Sequence, residues 1–405
     1  MNGYDVVVVG GRVAGASTAL LLGRAGARVA LVDRSRAGTD TVSTHALMRA
    51  GVLQLSRWGL LDRVIAAGTP AIRSTSFHYT DGSIARVAIR PTAGVDALYA
   101  PRRYLFDRLL LDAAAQAGVD VFTEMAVTAL RWDETGRVRG VRSVDRSGRT
   151  VELPASMTVG ADGIRSTVAA LVRAPVIRQG RSRSAVLYRY VAGLPADGYQ
   201  WAYGAGAGAG LIPTNDGQTC VFVSTTPERM CGLRRYGVEH AFSELLVQAA
   251  PTLRDPVVTA TPAGPIRGWG GVPGYLRRCW GAGWALVGDA GYFKDPITTH
   301  GMTDAMRDAE LFSAEEGTPT YVTRFDGVRV PATDYQPVWV TNLADDVTIE
   351  GSAMNGVVRG AEAVRSNRDL HPLALRRPGV QFRRPLRRER LPGGLHGLGP
   401  RRAAR

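Results

Sequence analysis

The run Tyr4-Asp5-Val6-Val7-Val8-Val9 is apolar almost without interruption, a pattern that predicts a strand buried on both faces rather than one with a wet side. Gly10-Gly11-Arg12-Val13-Ala14-Gly15 follows, and residues 16–24 then place small and apolar side chains at helical spacing until Gly26 closes the unit. A second apolar run, Ala27-Arg28-Val29-Ala30-Leu31-Val32, stops at Asp33. The predicted order is strand, tight turn, helix, strand. Two more buried strands are predicted far downstream, Met157-Thr158-Val159-Gly160 and Trp284-Ala285-Leu286-Val287, and each runs into an acid beside glycine, Asp162-Gly163 and Gly288-Asp289. Between them the pattern shortens to β-type runs such as Ser184-Ala185-Val186-Leu187-Tyr188-Arg189-Tyr190-Val191 and Thr219-Cys220-Val221-Phe222-Val223-Ser224, which predict a separate sheet. The alternation of glycine and alanine at 204–210 predicts a flexible hairpin loop within that sheet, not a phosphate loop, because no Lys-Ser/Thr pair follows it.

With 405 residues, 45% hydrophobic and 21% charged, the chain has material for a sizeable core in two or three domains, which excludes a mainly disordered protein. No run of about 18 consecutive uncharged apolar residues occurs, so no stable membrane association is expected. The opening strand has no basic segment or small-residue cleavage site ahead of it, which gives the expectation of a cytoplasmic protein. Cys220, Cys231 and Cys279 are odd in number and lack CxxC spacing, so neither a disulfide framework nor a zinc site is expected. A net charge of +14 invites a nucleic-acid partner, but twelve arginines against Asp369 and Glu389 place +10 of it in residues 365–405. The remainder is nearly balanced, lysine occurs once, at Lys294, and no nucleic-acid partner is expected.

The first unit carries the chemistry of a nucleotide site. Gly10 suits the turn, Gly15 suits close packing of helix on strand, and the residue between them should let a pyrophosphate approach. That residue is Arg12, which either crowds a phosphate or reaches it with its guanidinium, while the helix start at Val13 and Ala14 still offers free N–H groups and a positive dipole end. Asp33 stands where such folds place the acid that binds a ribose, an ordinary solvated acid being the alternative. An acid there repels a 2′-phosphate and favours an adenosine with a free 2′-hydroxyl. One such unit fits a dehydrogenase, a methyltransferase or a flavoenzyme alike.

The downstream acids separate these. With the glycine turn, Asp162-Gly163 and Gly288-Asp289 in this order, and above all with Gly288-Asp289-Ala290-Gly291-Tyr292-Phe293-Lys294-Asp295-Pro296-Ile297-Thr298-Thr299-His300-Gly301-Met302-Thr303-Asp304-Ala305, the sequence resembles the FAD-dependent monooxygenase and geranylgeranyl-reductase-like flavoproteins over residues 4–312. The resemblance implies an α/β fold: a Rossmann-like FAD-binding domain of three-layer ββα architecture (1–180 and 281–315) with an inserted antiparallel β-sheet substrate domain (181–280), as in group A flavin monooxygenases, and an irregular C-terminal extension. It implies FAD as cofactor, held by Gly10, Gly11, Arg12, Val13, Ala14, Gly15, Asp33 and Arg34. Asp289, beside Gly288, would accept hydrogen bonds from the ribityl chain, its alternative being a turn or cap acid. Pro296 to Met302 would pass beside the flavin ring, and a helix beginning near Gly301 would aim its dipole at the ring edge where reduction accumulates negative charge. Arg49 and Arg103 match positions used near FAD phosphates or ribose, with Arg102 able to stand in for Arg103 and ordinary surface arginines the alternative. Asp162 and Gly163 match the motif placed near the pyrophosphate and linked to FAD and NAD(P)H handling.

By the same resemblance NAD(P)H reduces FAD, O2 adds at flavin C4a, and the hydroperoxide oxygenates an aromatic or polyketide-like small molecule. The expected partners are therefore a small-molecule substrate and O2. His45 and His300, the histidines beside family motifs, are candidates for proton relay, with a structural role as the alternative. Reduction of a prenyl C=C bond, as geranylgeranyl reductases perform, is the alternative within the family, and a degenerate flavin-binding protein without turnover is the alternative of another class. A halogenase is disfavoured because no Trp-x-Trp segment occurs. Residues 343–365 resemble the opening of a SnoaL-like cone domain and are too few to close its sheet, which gives a truncated fragment over 316–365. Residues 366–405, rich in Arg, Pro, Gly and Leu without periodicity, are expected to form a disordered tail.

Overall fold

The predicted first unit is present as Tyr4–Val9, the helix Val13–Arg24 and Val29–Val32, with the two strands paired in parallel. The computed structural model describes residues 3–91, 94–195, 198–296 and 299–313, and the backbone of two further strands, Val322–Phe325 and Val328–Pro331. The SnoaL-like segment and the Arg-rich tail lie outside the described residues. Because Tyr4–Val9 is a central strand, its side chains alternate between two dry layers: Val6 and Val8 enter the core beneath the helices, and Val7 and Val9 enter the core on the opposite face. That is why the run carries no polar residue after Asp5.

Thr150–Gly160 pairs in parallel on the other side of Tyr4–Val9, Trp284–Leu286 pairs beyond it, and Asp120–Phe122 extends Val29–Val32. An antiparallel meander of Met125–Trp132, Val138–Asp145 and Thr150–Gly160 covers one face, while the helices Val13–Arg24, Arg103–Gln116 and Gly301–Ser313 cover the other. Meander, parallel sheet and helices make the three layers.

The second sheet runs Thr261–Pro262, Ala185–Ala192, Gln218–Thr225, Ala207–Pro213, Tyr199–Gly204, Ser74–His78, Ile84–Ala88, with Arg267–Trp269 also pairing on Ala185–Ala192. Its hairpin Ser74–His78 and Ile84–Ala88 comes from the N-terminal segment, and Ser74–His78 joins by parallel pairing with Tyr199–Gly204, so the sheet draws on more than residues 181–280. Alternation again assigns the faces. Val186, Tyr188, Tyr190, Ile212, Cys220 and Phe222 turn toward the nucleotide-domain core, whereas Leu187, Val191, Leu211, Val221 and Val223 pack with Phe242, Leu245 and Leu246 of the helix Val238–Ala249.

The glycine-alanine run departs from expectation. It is not a flexible loop: Tyr199–Gly204 and Ala207–Pro213 form a paired hairpin whose turn is only Ala205-Gly206. Small residues are needed there for packing, since a Cβ at Gly210 would lie 2.4 Å from the Phe222 ring. Among the described residues no helix is long and apolar enough to cross a membrane, and no group of His, Cys, Asp and Glu could hold a metal ion.

Candidate active site

The turn after Tyr4–Val9 folds back tightly on itself. Gly10 has φ +106°, and a Cβ on Gly15 would stand 1.8 Å from the Gly10 carbonyl oxygen, so both positions require glycine. Arg12 meets no such restriction, because it is the residue capping Val13–Arg24 with extended backbone, φ −91° and ψ −166°. No side chain among the described residues caps that helix, which leaves its first N–H groups directed out of the turn. The Arg12 guanidinium is half-buried and makes no hydrogen bond among the described residues; burial and the neighbouring Arg103 charge hold it below the usual arginine range. The unpaired Arg12 guanidinium beside an open helix N-terminus forms a place that suits an anion, with Arg103 adding positive charge nearby although it is itself paired with Asp107. Asp33 is not a loose surface acid: it accepts from Gly11 N at 2.5 Å and from Ser35 N at 2.6 Å, which fixes the carboxylate and leaves lone pairs for further donors. Arg34, next to it, is exposed.

The opposite wall is built around Asp289, in the short turn Gly288–Ala290. Its carboxyl accepts no hydrogen bond among the described residues and caps no helix, and burial pushes it up to about 7, with Asp304 and Asp308 adding repulsion and Arg103 opposing. Arg103 is buried and forks onto Asp107 one helical turn on, with both contacts at 3.0 Å, and its charge is felt by Arg12, Asp289 and His45 alike. The structure thus gathers Arg12, Asp33, Arg103, Asp107 and Asp289 from the ends of three strands and one helix. Behind Asp289 a charged cluster anchors the turn: Gly288 N donates to Asp308 at 3.0 Å, Arg307 pairs with Asp304 and Asp308, and Lys294 pairs with Asp304.

Other predicted residues are engaged differently. Asp162 accepts from Ser166 Oγ, from Thr167 N at 2.6 Å and from Val168 N at 3.2 Å, so its carboxylate caps the helix Thr167–Leu171. Its backbone nevertheless lies against the glycine turn, since a Cβ on Gly10 would meet Asp162 Cα at 2.9 Å, and Gly163 follows with φ +78°. Arg49 donates to the carbonyls of Val95 at 3.0 Å and Arg90 at 2.7 Å, and no contact ties it to the Arg12 and Arg103 cluster among the described residues. Pro296 accepts from Thr299 N at 3.0 Å in a turn, the His300 carbonyl accepts from Asp304 N at 2.8 Å, Gly301 opens the helix Gly301–Ser313, and Met302 packs on the main core. Ile297 and Thr298 lie outside the described residues. Asp295, just before, accepts from Ser184 N at 2.7 Å and fastens this loop to the second sheet.

His45 is fully buried where the two sheets meet, its ring stacked on Tyr190 with centroids 5.6 Å apart. Burial, reinforced by the Arg102 charge, pushes its pKa down to about 3, so the ring is neutral near pH 7 and suited to accept or donate a hydrogen bond rather than to carry a proton away. Arg102 is not a substitute for Arg103. Its guanidinium lies 3.6 Å over the Tyr190 ring, donates to Gln218 at 2.8 Å, and shares Asp40 with Arg267 at 3.2 and 3.4 Å. Sequence reading missed Asp40, Arg267 and Asp107. For Asp107 the signal was its spacing four residues after Arg103 on a helix.

A family model described as an FAD binding domain matches residues 3–313. The chain belongs to that FAD-binding family. Among curated relatives, digeranylgeranylglycerophospholipid reductase 1 of Methanococcoides burtonii is 24% identical over 94% of this chain and 89% of that protein. Squalene epoxidase 3 of Arabidopsis thaliana is 23% identical over 75% of this chain and 58% of its own length. Among solved structures, the flavin-dependent brominase Bmp2 superposes with a TM-score of 0.68 at 18% identity, covering 77% of this chain and 78% of that one. PqsL of Pseudomonas aeruginosa in complex with 2-aminobenzoylacetate gives 0.65 at 25% identity, covering 77% and 85%.

The cradle fits FAD on its own geometry. An anion-demanding helix start meets the need of a pyrophosphate, a fixed carboxylate at Asp33 meets that of a ribose, and the unpartnered Asp289 carboxyl is an acceptor for ribityl hydroxyls.

Proposed function

We propose that this FAD-dependent oxidoreductase is an NAD(P)H-dependent monooxygenase that hydroxylates an aromatic or polyketide-like small molecule in secondary metabolism. The observation that carries the reading is the aromatic face that the second sheet turns toward the nucleotide-domain core, where Tyr188, Tyr190 and Phe222 are buried and Trp201 and Trp269 pack against them. Tyr188 and Tyr190 meet edge to face at 5.8 Å, Trp201 and Phe222 lie 5.9 Å apart, and Trp269 and Phe293 lie 6.2 Å apart. Such faces and edges suit a flat, electron-rich ligand. PqsL, solved in complex with 2-aminobenzoylacetate, an aromatic compound, supports the same class.

Bound FAD supplies hydride acceptance and activation of O2. The chain's own contribution is position and water exclusion. Arg12 and the helix start neutralise phosphate charge, Asp33 and Asp289 accept hydroxyl donors, and the second sheet closes over the nucleotide domain through Tyr190, Arg102 and Asp40.

Reduction of a prenyl C=C bond is a second reading, favoured by the match to the archaeal reductase across 94% of this chain. The two separate on one measurement: NAD(P)H oxidation with and without O2, in the presence of aromatic acids and phenols or of a prenyl alcohol. Substrate-stimulated NAD(P)H loss matched by O2 uptake and a hydroxylated product supports the monooxygenase. Anaerobic turnover with a prenyl substrate supports the reductase and overturns it, and tight FAD binding with no turnover in any arm returns the chain to a flavin-binding protein.

A further inference from the structure

His45 carries a hydrogen-bonding atom that nothing among the described residues uses. The residue is 1% exposed, and its backbone has φ +43°, in the left-handed region that non-glycine residues seldom occupy. Its Nδ1 lies 3.1 Å from the Ser43 carbonyl oxygen, which can only accept, so Nδ1 holds the hydrogen. The Tyr190 hydroxyl is 3.4 Å from that same nitrogen. Nε2 is left as a bare lone pair, buried and without a partner among the described residues. The nearby charged groups, Arg102 and Arg103 on one helix start and Asp40 on the preceding loop, do not relieve it. Strain and an unsatisfied acceptor in one side chain, beside the cradle and beneath the second sheet, are features that a ligand would resolve.

We infer that His45 Nε2 is a binding acceptor for an N–H or O–H group of the ligand seated between the nucleotide cradle and the second sheet. The inference rests on the FAD reading of that cradle. Two sources offer this chemistry: a donor on FAD itself, or a phenolic hydroxyl of an aromatic substrate. Arg102 and Arg103 cannot take the role, because a guanidinium only donates.

The test is long-range ¹H–¹⁵N spectroscopy of histidine-labelled protein in three states: free, loaded with FAD, and loaded with FAD plus phenol at a concentration that saturates its perturbation of the flavin absorption. The flavin spectrum establishes loading first, so failure to bind FAD is seen separately from failure at His45. The free protein is expected to show the Nδ1–H tautomer with an unbonded Nε2. The Nε2 resonance then moves upfield on adding FAD, which assigns the donor to the cofactor, or only on adding phenol, which assigns it to the substrate. A proton on Nε2 in the free protein, or an Nε2 resonance that neither addition moves, overturns the inference. His45→Phe should weaken the ligand that moved the resonance about tenfold, while His45→Gln, which keeps an acceptor, should weaken it less than about threefold. Equal losses in both variants would assign His45 to packing alone and also overturn it.

Discussion

A carboxyl held near neutrality makes cofactor affinity depend on pH. Asp289 sits at about 7, so in the cofactor-free protein it gains a proton below that pH and a hydroxyl donor then meets an acid instead of an anion. FAD affinity should therefore fall as pH drops from 8 to 5, by at most about tenfold per unit, and Asp289→Asn should flatten the profile in a flavin fluorescence titration. Stability of the cofactor-free protein has the opposite slope. A carboxyl raised above its unfolded value favours the folded state at low pH and loses that contribution as pH rises toward 7. Arg12 gives a second residue-scale expectation: Arg12→Ala should weaken FAD about tenfold but leave riboflavin, which has no phosphate, unchanged in the same titration. The acids and glycines of the cradle were legible because their chemistry is local to a turn. Asp40 with Arg102 and Arg267 was not, since the partners stand 62 and 227 residues from it and only the fold brings them together.

At the scale of elements, the helix Gly301–Ser313 does more than end the motif. Through Asp304 and Asp308 it holds Lys294, Arg307 and the Gly288 turn in one buried cluster. Asp304→Asn would remove the buried carboxylate that Lys294 and Arg307 share, Arg307 keeping Asp308, and a loss of about 3–5 kcal/mol in urea unfolding is expected. The hairpin Tyr199–Gly204 and Ala207–Pro213 offers a packing test. Gly210→Leu should force the Phe222 ring aside and lower stability by about 1–3 kcal/mol, read as a reduced melting temperature, with the flavin spectrum of surviving folded protein retained. Periodicity revealed the strands but misassigned this one, because glycine and alanine carry no hydrophobic signal and the reason for their smallness is a ring on the neighbouring strand.

For the whole molecule, the two sheets are interlocked rather than strung in series. The chain visits the second sheet at Ser74–His78 and Ile84–Ala88, returns to the first, and revisits the second from Ala185–Ala192 onward. Asp40, shared by Arg102 and Arg267, is one polar tie across the seam, alongside Asp295 on Ser184 N. Asp40→Ala should leave two guanidiniums without an anion and speed amide exchange in Arg267–Trp269, with the parallel strands of the first sheet unaffected. The separate sheet was legible from the change of pattern near residue 180, and the three-layer architecture was implied by the resemblance that the motifs carry. The early hairpin was not, because five consecutive exposed residues, Ile84–Ala88, give no sign of which sheet they edge.

The parallel order of the first sheet also sets a timetable for synthesis. Thr150–Gly160 lies between Tyr4–Val9 and Trp284–Leu286, so the wall that carries Asp289 emerges from the ribosome only after more than a hundred further residues have been made. At roughly 5–20 residues per second, the half-built cradle waits about 6–25 s with one flank of its central sheet unpaired. During that interval Thr150–Gly160 presents an open sheet edge, the kind of unpaired edge that invites mispairing until Trp284–Leu286 closes it.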